Sequence, residues 1–115
     1  MNFRILAPLC VALAVCSCAK KQDPAAVHLQ VTMRKFAIEP AVIHVKQGEK
    51  VVLDVSSKDV KHGFEIEDLG INEPIQPGKP AEIALDTSKK GEFRVACSIV
   101  CGPGHEDMTA KIVVE

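Results

Sequence analysis

The stretch CSIVCGPGHEDM, from Cys97 to Met108, sets four electron-pair donors, Cys97, Cys101, His105 and Met108, at spacings of four, four and three residues. Thiolate and thioether sulfur are soft donors and imidazole nitrogen is intermediate, a mixture that selects copper over calcium or magnesium. Zinc also accepts thiolate and imidazole, but structural zinc sites are built from cysteine and histidine. Met108 therefore argues for copper. Upstream, His62 in DVKHGF follows a polar, turn-like run and opens the strand that carries Phe64. On its own it reads as a turn histidine; beside such a loop it becomes a candidate fifth donor.

Other uses of the two cysteines are open at this point. Cys97 and Cys101 could form a disulfide, or lie inert at the buried end of a strand. They could also be the dithiol of a thiol–disulfide oxidoreductase, but such enzymes place C-x-x-C in a βαβ setting. Here the spacing is C-x3-C and no helical stripe follows. The chain shows no nucleophile beside a general base and no phosphate-cradling glycine loop, so no catalytic activity is expected. His28 and His44 each sit between apolar neighbours on strands and should face solvent. Met33 is in phase with Val31 and should join the core. Glu106 and Asp107 read as solvated loop charges close enough to influence the site.

Strands must position these donors. Val27–Met33 and Glu92–Cys97 alternate apolar and polar residues, the latter with Phe93, Val95 and Cys97 on one face. Ala41–Lys46 and Lys50–Ser56 flank the turn Gln47-Gly48-Glu49. His62–Glu67, Ala81–Asp86 and Thr109–Glu115 complete about seven short strands, punctuated by Pro40, Pro74, Pro77–Pro80 and Gly91. Strands at this spacing predict an all-β, antiparallel Greek-key sandwich. Its core should come from Val31, Ile43, Val45, Val51, Leu53, Val55, Phe64, Ile66, Ile83, Leu85, Phe93, Val95, Ile112 and Val114. Cys97 then points inward at the end of the penultimate strand, and the loop after it caps one pole.

The N-terminus belongs to a different class of segment. Ile5–Val15 is apolar and uncharged, short of the roughly 20 residues a membrane-spanning helix needs, but suited to a secretory leader. Ser17-Cys18 looks like the cleavage site of a bacterial lipoprotein, with Cys16 the weaker candidate and an ordinary leader the alternative. The expected organisation is a leader over 1–17, lipidation at Cys18, a polar tether over 18–26 and one domain over 27–115. Export to the periplasmic face of a membrane, or to the cell surface, puts Cys97 and Cys101 in an oxidising compartment, where a free pair should become a disulfide unless something such as a metal holds it. The formal net charge is −1 and no basic block occurs, so nucleic-acid binding has no support.

Taken together, His62 and the run Cys97-x3-Cys101-x3-His105-x2-Met108 resemble the binuclear CuA domain of haem-copper oxidase subunit II and of nitrous-oxide reductase. DVKHGF around His62 and Gly102 after the second cysteine fit as well. The resemblance implies a cupredoxin fold in which Cys97 and Cys101 bridge two coppers. It implies one copper ligand each from His62 and His105, a weak ligand from Met108, and another from the backbone carbonyl of Ile99. A single copper is the alternative stoichiometry. Ile99 stands where the oxidase family usually has glutamate, which removes a carboxylate but keeps the carbonyl. Transmembrane helices and the family's surface tryptophan are missing, and the chain contains no Trp or Tyr at all. The implied protein is a free-standing, monomeric electron carrier whose partner is a c-type cytochrome or another cupredoxin. A copper carrier or assembly factor is the competing role.

Overall fold

The computed structural model describes residues 25–115. The expected leader, Cys18 and most of the tether lie outside the described residues. The remaining chain forms nine strands: β1 (Val27–Arg34), β2 (Ala37–Glu39), β3 (Val42–Val45), β4 (Val51–Ser57), β5 (His62–Ile66), β6 (Ile71–Ile75), β7 (Ala81–Leu85), β8 (Gly91–Cys97) and β9 (Thr109–Val114). They make two sheets, one ordered β2-β1-β4-β7 and the other β3-β9-β8-β5-β6.

Period-two alternation produces the sandwich. In β4, Val51, Leu53 and Val55 are buried while the residues between them are partly exposed, and β9 buries Ala110, Ile112 and Val114 in the same way. Both sheets turn such faces inward onto one core, which also takes in Met33, Ile38, Ile75 and Met108. Of the expected core residues, Phe93 alone is only partly buried and packs at the margin. The small loss of apolar burial is offset by Ile38 and Ile75, from two strands that alternation does not signal.

Those two strands account for nine where about seven were expected. β2 has only three residues, too few to display a period. β6 reads INEPI, polar and interrupted by Pro74, and is the edge strand of its sheet. An edge is where proline is tolerated, because one side of the strand needs no ladder hydrogen bonds. The expected antiparallel sandwich is also modified by two parallel pairs, β1 with β4 and β3 with β9. Alternation records which face a residue takes, not the direction of the neighbouring strand.

Candidate metal centre

Three strands and one loop build the pole of the sandwich that holds the donors. β5 begins at His62 and β8 ends at Cys97; the two strands pair antiparallel, with Phe64 opposite Cys97. The chain leaves β8 through Ser98–Met108 and re-enters the same sheet as β9. Its two ends are tied together by the Cys97 N–H donating to the Met108 carbonyl at 3.3 Å. Inside the loop, the N–H of His105 donates to Gly102 O and that of Met108 to His105 O, closing a short 3-10 turn over His105–Asp107. The loop is therefore internally hydrogen-bonded and strand-anchored at both ends.

Its conformation depends on glycine at specific places. Gly63 lies under the loop so closely that a Cβ there would come within 2.0 Å of Ser98 Oγ and 3.1 Å of the Ile99 backbone nitrogen. The Ser98 N–H uses this approach to donate to Gly63 O at 3.0 Å. On the other side, the ring of Phe36 packs on Gly102 and Gly104; a Cβ on Gly104 would meet Phe36 Cγ at 2.5 Å. Gly102 also has a φ of 149°, unfavourable for any side chain.

The donors converge. His62, Cys97 and Cys101 present ligand atoms that all lie within 4.8 Å of one another. Cys97 Sγ is 3.8 Å from His62 Nδ1 and donates to the Ile99 carbonyl at 3.2 Å. Cys101 Sγ is 3.8 Å from His105 Nδ1 and 3.4 Å from Met108 Sδ. The structure thus brings all six expected ligand residues together at one pole. His62 is fully buried, Met108 nearly so, and His105 is partly open to solvent. Both described cysteines are free thiols. The donor set of two thiols, two imidazole nitrogens, a thioether and a carbonyl oxygen fits copper and no hard cation.

One residue given no role by sequence completes the arrangement. Asp59 Oδ1 lies 2.7 Å from His62 Nε2. The Asp59 carboxyl is held down to about 2, first by the backbone N–H of Lys35, then by that of Val60 and by His62, against the opposing effect of partial burial. An ionised carboxylate only accepts, so Nε2 is the ring nitrogen that donates to Asp59, and Nδ1 is the one that faces Cys97. A carboxylate three positions before a candidate histidine is a signal that sequence could have supplied. Phe36 had no such signal, since it reaches the loop only through the fold. Burial raises the Cys101 thiol above its ordinary value, and the neighbouring Cys97 adds to the shift. A metal held at Cys101 would therefore displace a proton and bind more strongly as pH rises. Of the two histidines expected at the surface, His44 is exposed; His28 is partly buried against Asp54.

A two-sheet sandwich whose polar loop gathers cysteine, histidine and methionine against a strand histidine defines a copper-protein architecture. The chain belongs to the cupredoxin-like domain family, whose profile matches residues 5–114. It is 38% identical over 80 residues to cytochrome c oxidase subunit 2 of Thermus thermophilus, covering 70% of this chain and 59% of that protein. It is 31% identical over 75 residues to nitrous-oxide reductase of Stutzerimonas stutzeri, covering 62% of this chain and 12% of the reductase. Among solved structures, a chain of a haem-copper terminal oxidase dimer superposes with a TM-score of 0.70 at 29% identity, covering 76% of this chain and 64% of that one. The chain thus spans little more than half the length of its oxidase relative. These relatives are the two classes of protein to which the ligand pattern pointed.

Proposed function

We propose that this domain is an electron-transfer module that holds a binuclear copper centre at the pole capped by Ser98–Met108. The observation that carries the reading is the convergence of His62, Cys97 and Cys101, with His105 and Met108 reached through Cys101. Copper held there would supply a one-electron couple. Cys97 and Cys101 would be the bridges, His62 and His105 the terminal ligands through Nδ1, and Met108 Sδ and the Ile99 carbonyl the weak ligands. The protein's own work is to keep these atoms still. His62 is pinned by Asp59, Ser98 by Gly63, and the loop by Phe36. Burial of His62, Cys97 and Met108 keeps water away from one side of the site, while His105 remains the more accessible ligand. No bond in a substrate is made or broken.

The same reading places the domain outside the cytoplasm, tethered by lipid at Cys18, with a c-type cytochrome or another cupredoxin as redox partner. Support for export comes from the leader-like segment at 5–15 and the Ser17-Cys18 pair. The test of the centre is metal analysis of copper-reconstituted full-length protein with its electron spin resonance spectrum. Two coppers per chain and hyperfine structure from two equivalent nuclei are expected, and Cys97→Ser should reduce this to a single-copper pattern. One copper per wild-type chain after full reconstitution refutes the binuclear assignment.

A further inference from the structure

On the outer face of the other sheet, His28 of β1, Asp54 of β4 and Glu82 of β7 place one ligand atom each within 4.8 Å of one another. The register explains how residues so far apart in sequence meet. Gln30 pairs with Asp54 across the parallel ladder, and Asp54 pairs with Glu82 across the antiparallel one. His28, two residues before Gln30 on the same face, reaches diagonally to Asp54, with Nδ1 at 3.2 Å from Oδ2 and 3.4 Å from Oδ1. We propose that His28, Asp54 and Glu82 form a second metal site, for a borderline divalent cation of the zinc class, separate from the copper centre.

Three observations carry it. The first is spacing: two ligands bound to one tetrahedral zinc at about 2.0–2.1 Å stand roughly 3.3 Å from each other. The His28–Asp54 separation is close to that value, and the hydrogen bond now joining the two would give way to the cation. The second is charge. Asp54 and Glu82 are directly opposed on neighbouring strands, where like charges destabilise the sheet. A divalent ion between them reverses the sign of that interaction. The third is preorganisation. Gln30 Nε2 donates to Asp54 Oδ2 at 2.9 Å, and the His28 and Asp54 side chains are only 25% and 20% exposed. The pair is held in place yet open to solvent on one side.

The donor chemistry differs from that of the pole. One imidazole and two carboxylates suit zinc, cobalt or Cu(II) better than Cu(I), which favours sulfur donors. Occupation would clamp β1, β4 and β7 together, so the cation should raise the melting temperature in proportion to the logarithm of its concentration.

The test uses the full chain with its thiol site first loaded with copper, then stripped of loosely held Cu(II) by chelator and desalting so that the second site is empty, and titrated with zinc and, separately, with cobalt. One further zinc per chain is expected in the micromolar to low millimolar range. Cobalt should give weak ligand-field bands without the strong thiolate-to-cobalt absorption that binding at Cys97 and Cys101 would produce, a distinction that holds whether or not copper is retained. His28→Ala and Glu82→Gln should each weaken zinc binding by at least about tenfold, and Gln30→Ala by about tenfold through loss of orientation. All three should keep the copper absorption. The proposal is overturned if no zinc binds beyond copper at millimolar concentration. It is overturned equally if His28→Ala and Glu82→Gln bind zinc like the wild type, or if cobalt shows only the thiolate signature.

Discussion

Asp59 orients His62: its Oδ1, 2.7 Å from Nε2, accepts from that nitrogen and leaves Nδ1 facing Cys97 Sγ at 3.8 Å. The carboxylate is itself immobilised by the backbone N–H groups of Lys35 and Val60. Orientation of this buried imidazole thus traces back to the turn before β5 and to the turn after β1. If His62 binds copper as proposed, Asp59→Ala should lower copper affinity by about 10–100-fold, because the imidazole loses the partner that aims it. Competition titration against a chelator of known affinity measures this, and unchanged affinity would show that packing alone holds the ring.

The same carboxylate predicts an acid profile. Asp59 falls from an ordinary value of 3.8 to about 2 on folding. Between those values the unfolded chain binds more protons, so stability rises with pH across the window and is lost as pH falls toward 2. The metal-free protein should lose melting temperature on acidification from about pH 4, and Asp59→Asn should flatten that loss. It should not abolish it, because Glu39 and Asp86 are also lowered, by Arg34 and Ser88 respectively. Melting curves of the two proteins across this window decide the point.

Met108 and His105 should differ in consequence when replaced. Met108→Leu keeps the buried volume and should cost less than about 1.5 kcal/mol of stability. It should retain copper and raise the reduction potential, since a donor lost from the site destabilises the more positive oxidised state. His105→Ala removes a strong ligand and should disrupt the centre. Metal analysis and voltammetry of both proteins test the ranking; equal loss of copper would show it to be wrong.

Loop geometry predicts a compensating pair. Gly104→Ala should drive a Cβ into the Phe36 ring, destabilising the protein by about 1–3 kcal/mol and loosening the copper loop. Removing the ring in Phe36→Ala/Gly104→Ala should restore much of that loss, the non-additivity expected of side chains in contact. Chemical denaturation of the four proteins of the cycle reads it directly. Strict additivity would place Phe36 elsewhere in solution.

Copper retention separates an electron carrier from a copper carrier. A loop tied at both ends, with Pro103 limiting its freedom, should hold copper in both oxidation states. Reduced protein is expected to keep its metal for hours beside a chelator of moderate affinity while exchanging electrons quickly with a soluble cytochrome. Rapid copper transfer to a metal-free acceptor without electron exchange would establish delivery instead.

If Cys18 carries the lipid proposed above, Cys18→Ser should release the protein into the soluble exported fraction or leave it unprocessed. Intact mass of the membrane-associated form checks it. Acyl chains persisting on the variant would move the anchor to Cys16.

Much of this protein is legible in the sequence because the signals are local. Alternation in Val27–Met33 and Glu92–Cys97 identifies strands and their inward faces, and the C-x3-C-x3-H-x2-M spacing gathers four donors within one loop. His62 could be nominated because the loop supplied a reason for a distant histidine. What the sequence leaves open depends on pairing between segments remote from each other. β2 and β6 become strands because neighbours complete their ladders, not because their residues demand it. The parallel runs of β1 with β4 and β3 with β9 follow from how connections cross the sandwich. The Phe36 cover over Gly104, and the meeting of His28, Asp54 and Glu82 across three strands, are set by register. Register is a property of two strands at once, and no single segment encodes it.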